Sequence, residues 1–139
     1  MEPLDLTIAP PRPPRAMLAG VIFLPRTIDK VRASFDGGAL GEYTIEGFSA
    51  MLLQHLGIPL DLFMVTVREA LDDDAVERFV TASATPDAIA SWNAMIGARL
   101  PRGGDREAAL AAYPWLDPSA EIPLALDALA EDDRRLFAR

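Results

Sequence analysis

The most informative stretch of the sequence covers residues 24–33 and reads Leu24-Pro25-Arg26-Thr27-Ile28-Asp29-Lys30-Val31-Arg32-Ala33. Apolar residues at helical spacing form one face of this stretch and continue just beyond it: Ile28, Val31 and Phe35. Charged residues of both signs lie opposite this face or beside it: Arg26, Asp29, Lys30 and Arg32. The pattern predicts a short amphipathic helix that begins near Pro25 and carries a mixed-charge polar face.

The residues before this helix are rich in proline. The first fifteen residues contain five of the twelve prolines of the chain. Because proline fixes φ and lacks an N–H group, this segment favours an extended polyproline conformation over a helix or a central strand. We expect residues 1–24 to form a proline-rich arm packed on the domain, with binding to an aromatic groove of another protein as the alternative.

The residues after the helix contain a glycine cluster and an acidic residue beside an aromatic one. Gly37 and Gly38 are expected to end the helix, and Gly41 precedes Glu42 and Tyr43. Alternating residues over 42–46 predict a short extended piece, but no partner strand of similar quality follows, so we expect no sheet. Exposed N–H groups of the cluster could cradle a phosphate, although the glycines follow a helix rather than open one.

The rest of the chain repeats helical patterns separated by turn residues. Apolar periodicity and capping residues predict a helix from about Gly47 or Ser49 to Leu56 and further helices near 60–71, 74–80, 86–100, 106–113 and 123–131. The fold class is therefore all-α, a single compact bundle of about five to seven short helices behind the extended proline-rich N-terminal arm. Since 139 residues suffice for one domain, we expect residues 25–139 to share a single core.

Composition excludes several functional classes. The chain is acidic, with a net charge of −8, which argues against binding to nucleic acid. It has no cysteine, which excludes disulfides, thiolate metal sites and cysteine nucleophiles. The Asp72-Asp73-Asp74 run lacks calcium-loop spacing and is better suited to helix capping, with Asp74 and Glu77 at the spacing of a capping box. We expect no metal, no cofactor and no membrane partner, and a cytoplasmic location. The sequence does not indicate the oligomeric state.

Several spaced motifs resemble a small bacterial family catalogued as domain of unknown function 5069. They include the Asp5-Leu6-Thr7 and Pro10–Arg15 segments, residues 24–33, Gly41-Glu42-Tyr43, Leu56-Gly57-Ile58 and Trp92-Asn93. The resemblance covers about residues 5–95 and implies a compact bacterial domain without an assigned reaction. No further match is found beyond Asn93, so we expect the C-terminal third to be specific to this protein.

Two functional hypotheses follow from these residues. The first is a non-catalytic module that binds a partner protein or a small anionic ligand, with six candidate binding residues: Arg26, Asp29, Lys30, Arg32, Glu42 and Tyr43. An internal ion-pair network that ties the helix to the arm is the structural alternative for the four charged helix residues.

The second hypothesis is a small cofactor-independent enzyme. It requires five side chains to converge on one pocket: Asp29, Lys30, Glu42, Tyr43 and His55. His55 is the only histidine, and a helix-capping role at the end of its helix is the alternative. Trp92 and Asn93 are interpreted as a core ring and an amide that satisfies a nearby backbone group.

Overall fold

The computed structural model describes residues 1–138, which form seven α-helices, one short 3₁₀ helix and one two-stranded sheet. The elements in chain order are β1 (Met17–Leu18), β2 (Val21–Ile22), α1 (Leu24–Ala33), α2 (Phe48–Leu56), α3 (Leu60–Glu69), α4 (Asp73–Ser83), α5 (Pro86–Ala98), α6 (Arg106–Ala112) and α7 (Ala125–Leu136), with the 3₁₀ helix at Pro101–Gly104. The prediction of a mostly helical protein is confirmed. The expectation of no sheet is wrong.

The sheet is a hairpin directly before α1. Met17 lies opposite Ile22 and Leu18 opposite Val21 in antiparallel register. The turn residues Ala19 and Gly20 have φ values of 55° and 70°, as a tight two-residue hairpin turn requires. Strands of two residues are too short to show an alternating pattern, whereas residues 42–46, which do alternate, form no strand.

Trp92 and Asn93 of α5 hold this hairpin against the helices. The Trp92 indole donates to the carbonyl of Ile22 at 2.8 Å, and the Asn93 side-chain oxygen accepts from the Ile22 N–H at 3.0 Å. The Asn93 amide nitrogen also donates to the carbonyl of Gly20 at 2.7 Å. The interpretation of this pair as a buried ring and a backbone-satisfying amide is confirmed.

Helix α1 lies at the centre of the fold rather than at its surface. Its apolar side chains join one buried cluster with residues of β2, α2, α3, α4, α5 and α7. Its polar face is buried as well: Arg26, Asp29 and Lys30 are 1%, 4% and 7% exposed. Residues far away in sequence cover that face, and a charge that stays unpaired there is costly.

Local signals account for most helix ends. Thr85 caps α5 by accepting from the N–H of Ala88 at 3.1 Å, and Gly57 ends α2 with φ 72°. The cap of α4 is Asp72 rather than Asp74, because α4 begins at Asp73 and the Asp72 carboxylate accepts from Ala75. The third predicted helix, 60–71, is too long: Leu71 lies beyond the end of α3 and is 94% exposed.

The segment that contains Gly37, Gly38 and Gly41 forms backbone hydrogen bonds with the N-terminal residues. The N–H of Leu6 donates to Ala39 at 2.8 Å, and the N–H of Ala39 donates to Leu4 at 3.1 Å. A Cβ atom at Gly38 would lie 2.6 Å from the carbonyl oxygen of Ala33, so only glycine fits there. These glycines therefore contact the chain itself, in contrast to the phosphate-cradling alternative.

In the part of the chain that the structure describes, no single helix has the length and hydropathy of a membrane span. Helices α2 and α3 have the required length and hydropathy only when they are taken as a pair, and the bend between them is 98°.

Candidate functional site

The candidate site is a cavity of about 560 Å³ between α1, α2, α7 and the segments 42–47 and 99–102. Four of the six predicted binding residues line it: Arg26, Lys30, Glu42 and Tyr43. Its walls also carry apolar side chains, namely Phe23, Phe48, Met51 and Leu129. The site thus combines buried charges of α1 with an apolar surface.

Lys30 is the most unusual group in this cavity. Its ammonium nitrogen lies 5.4 Å from the centroid of the Phe23 ring and 6.0 Å from that of Tyr43. Among residues 1–138, no carboxylate or carbonyl accepts a hydrogen bond from it. Burial, and next the charge of Arg26, lower the pKa of Lys30 to about 8, while Asp133 opposes the shift. Lys30 is therefore a largely buried cation whose side chain lines the cavity.

Arg26 beside it forms an ion pair with a carboxylate of α7, although its buried Nε has no hydrogen-bond partner among the described residues. Its two terminal nitrogens donate to the two oxygens of Asp133 at 2.6 and 3.1 Å, a bidentate ion pair. The Tyr43 hydroxyl donates to the same carboxylate at 2.8 Å. Burial, followed by this hydrogen bond, raises the pKa of Tyr43, so the phenol stays protonated at neutral pH. The Arg26–Asp133–Tyr43 cluster forms one rigid wall of the cavity.

The outer part of the cavity carries further charges. Glu42, Glu46 and Arg102 are exposed, whereas Arg99 and Asp132 are half-buried. The Arg99 guanidinium lies 5.6 Å from the Phe48 ring, and its buried Nε has no hydrogen-bond partner among the described residues. Asp132 accepts from the indole of Trp115 at 3.0 Å. Lys30 and Arg99 are therefore cations of this cavity that no described carboxylate binds.

The other two predicted binding residues, Asp29 and Arg32, line a separate groove of about 730 Å³ below residues 10–14. Asp29 accepts from the backbone N–H of Arg12 at 2.8 Å and from its guanidinium at 3.0 Å. Arg32 donates to the carbonyl of Glu2 at 2.8 Å. Both side chains bind N-terminal residues, as the ion-pair alternative predicts, so the smaller cavity is the better candidate site.

The five residues of the enzyme hypothesis do not converge. Lys30, Glu42 and Tyr43 share the cavity, but Asp29 is paired in the groove and His55 lines neither space. His55 is exposed at the end of α2, where its Nε2 lies 3.2 Å from the hydroxyl of Ser91. Within residues 1–138, no group of three or more His, Cys, Asp or Glu residues could hold a metal ion.

Sequence reasoning missed the C-terminal half of the site. Asp133 and Arg102 were not candidates, because weak, proline-punctuated patterns surround them, and Arg99 was not a candidate, because no other charged residue lies near it in the helix predicted over 86–100. A stronger signal was available for Lys30: it is the only lysine of the chain, and all twelve other basic residues are arginine.

The comparison with known families covers this C-terminal region too. The sequence model of the family described as "Domain of unknown function (DUF5069)" matches residues 8–135. The expectation that the last third is specific to this protein is therefore wrong, and α7 with Asp133 lies within the matched region. No curated protein matches the chain.

Proposed function

The chain belongs to the DUF5069 family, a domain of unknown function, and we propose that it is a non-catalytic module that binds a small anionic ligand in the Lys30 cavity. One observation carries this proposal: a side chain only 7% exposed presents an ammonium group to a cavity, and no described residue accepts a hydrogen bond from it. A buried charge without a partner costs several kcal/mol. A bound carboxylate or phosphate would supply the missing acceptor.

The charge balance of the buried groups favours an anion. The three buried charged groups that line the cavity are Arg26, Lys30 and Asp133, so together they carry one net positive charge when Lys30 is protonated. The volume of about 560 Å³ falls within the roughly 300–1,000 Å³ of small-molecule pockets. A small ligand fits better than a partner protein, because Lys30 lies below the surface. The net charge of −8 still disfavours nucleic acid.

Removal of the Lys30 charge should weaken anion binding. Titration calorimetry with inorganic phosphate and L-lactate as probes is expected to detect binding to the native protein. Lys30→Gln should weaken it about 10- to 100-fold, because a hydrogen bond to a charged group contributes about 1.5–3 kcal/mol. Arg78→Gln is the matched control: it removes one positive charge from an exposed position of α4 outside the cavity. Equal effects of the two variants would contradict the proposal.

Anion affinity should also depend on pH in a specific direction. Only the protonated amine attracts an anion, and the pKa of Lys30 in the free protein is about 8. Affinity should therefore be greatest below pH 8 and fall as the pH rises from 7 to 9.5, and in Lys30→Gln this dependence should disappear. Calorimetric titrations with L-lactate at several pH values test it, because its carboxylate stays ionised over this range whereas phosphate changes its own charge near neutral pH. A flat profile for the native protein would show that Lys30 does not contact the ligand.

We also propose that residues 1–24 act as an arm that stays on the helical domain of residues 25–139. Leu6 is buried, Leu4 donates to the carbonyl of Arg32 at 3.3 Å, and Arg12 binds Asp29. We expect slow amide hydrogen exchange at Leu4, Leu6 and Ala39, whose N–H groups are hydrogen-bonded. Immediate exchange throughout residues 4–24 would contradict a packed arm.

A further inference from the structure

The choice of lysine at position 30 needs an explanation beyond charge. Arginine supplies all twelve other basic residues of this chain. Its guanidinium offers more donors than an ammonium and matches carboxylates and phosphates bidentately, so arginine would serve simple anion binding at least as well. What a guanidinium cannot do in a protein is lose its proton and act as a nucleophile. A single lysine at this position is what a site that uses a free amine requires.

The cavity has the two features that activate a lysine amine. The side chain is only 7% exposed and Arg26 places a second cation nearby; these two effects oppose the rings of Phe23 and Tyr43, which at 5.4 and 6.0 Å stabilise the ammonium. Apolar surroundings and a neighbouring cation both favour the neutral amine. With a pKa of about 8, roughly one molecule in ten holds the unprotonated amine at pH 7.

We propose that Lys30 forms a reversible imine with a small ligand that carries both an anionic group and a carbonyl group, such as a 2-oxo acid. This inference rests on the proposed function and specifies its ligand class. The neutral amine attacks the carbonyl carbon, a C–N bond forms, and the carbonyl oxygen leaves as water with the two protons of the amine. The step consumes no oxidant or reductant.

Other groups of the cavity suit such a ligand. Arg99 is a half-buried guanidinium that no described carboxylate binds, and a ligand carboxylate can pair with it once Lys30 has lost its charge to the imine. The Tyr43 phenol remains protonated and keeps Asp133 in place, so the Arg26–Asp133 pair still maintains the second cation near the amine. Phe48 and Met51 provide apolar walls that limit water near the adduct.

Reductive trapping tests this inference directly. The native protein is incubated with pyruvate and borohydride, and peptides are mapped by mass spectrometry. We expect one reduced adduct on Lys30, which is the only side-chain amine of the chain. The yield should rise between pH 6 and pH 8, as the unprotonated fraction of Lys30 increases. L-lactate, which has the carboxylate but no carbonyl group, should protect Lys30 by competition without forming an adduct.

Lys30→Arg separates the amine from the charge. This variant keeps a cation at the position but should give no trapped adduct, while L-lactate binding persists within about tenfold. Circular dichroism checks its fold, and Arg78→Lys supplies the opposite control: a new exposed lysine that should trap far less pyruvate than Lys30.

Three results would overturn the inference: an adduct confined to the α-amino group of Met1, equal trapping at Lys30 and at the exposed lysine of Arg78→Lys, or no adduct on Lys30. If L-lactate still binds in such a case, only the imine is wrong and anion binding stands. If neither acid binds and nothing is trapped, both proposals fail.

Discussion

Asp133→Asn is expected to destabilise the protein by about 3–5 kcal/mol, since it leaves a buried guanidinium without its carboxylate. The side chains of Arg26 and Asp133 are 1% and 12% exposed, so solvent screens little of the lost interaction. The Tyr43 hydroxyl also loses a charged acceptor. Urea denaturation followed by circular dichroism should show a lower midpoint for this variant.

Asp127→Asn is the matched control on the same helix. Asp127 binds Arg15 through two hydrogen bonds at 2.8 and 3.1 Å, but these side chains are 52% and 45% exposed. Its loss should cost under about 1 kcal/mol. If Asp133→Asn does not fold, the double variant Arg26→Met with Asp133→Leu should recover stability, because neither member of the ion pair is left buried without its partner. Equal losses for the two asparagine variants would show that burial does not govern these pairs.

Lys30→Met is expected to stabilise the protein at pH 7 by on the order of 3 kcal/mol. The pKa of Lys30 falls from 10.5 to about 8 on folding, and each unit corresponds to about 1.4 kcal/mol. The side chain is only 7% exposed, so solvent screens little of this penalty. Methionine retains a long, unbranched shape and removes the charge. Substitution of a residue that serves binding often makes a protein more stable, because functional sites are commonly destabilising.

The pH dependence of this gain follows from the same shift. Between about pH 8 and 10.5 the unfolded chain binds one more proton at Lys30 than the folded chain does. The stability of the native protein relative to Lys30→Met should therefore increase over this range, and the difference between them should shrink.

Urea denaturation at pH 7 and pH 10 measures this change. Arg78→Met, an exposed substitution of the same kind, should change stability by less than about 0.5 kcal/mol at either pH. Destabilisation by Lys30→Met would show that the ammonium is well paired in the folded protein.

The helices were largely predictable, since their signals are local. The Thr85-Pro86 cap, the Gly57 stop and the apolar spacing of α1 all act within a few residues. The hairpin was missed, because its strands are only two residues long and its turn depends on Ala19 with positive φ. Distant residues stabilise it: Asn93 lies 71 positions from Ile22.

The candidate site was predictable only in part. Arg26, Lys30, Glu42 and Tyr43 were recognised from their density of charge and share a cavity. Asp29 has the same helical context, but it faces Arg12 in the separate groove. Periodicity assigns residues to a helix face without indicating which part of the chain covers that face, and so it could not separate these two environments.

The sequence by itself determined where most helices begin and end, the absence of cysteine chemistry, and the presence of a single lysine, because each depends on residue identity or on near neighbours. Only the tertiary structure decided that the polar face of α1 is buried, that Asp133 pairs with Arg26 across 107 positions, and that Lys30 faces a cavity. Contacts between residues so far apart leave no periodic trace in either segment. They form when the helices pack, and packing also removes the water that would otherwise keep the lysine an ordinary cation.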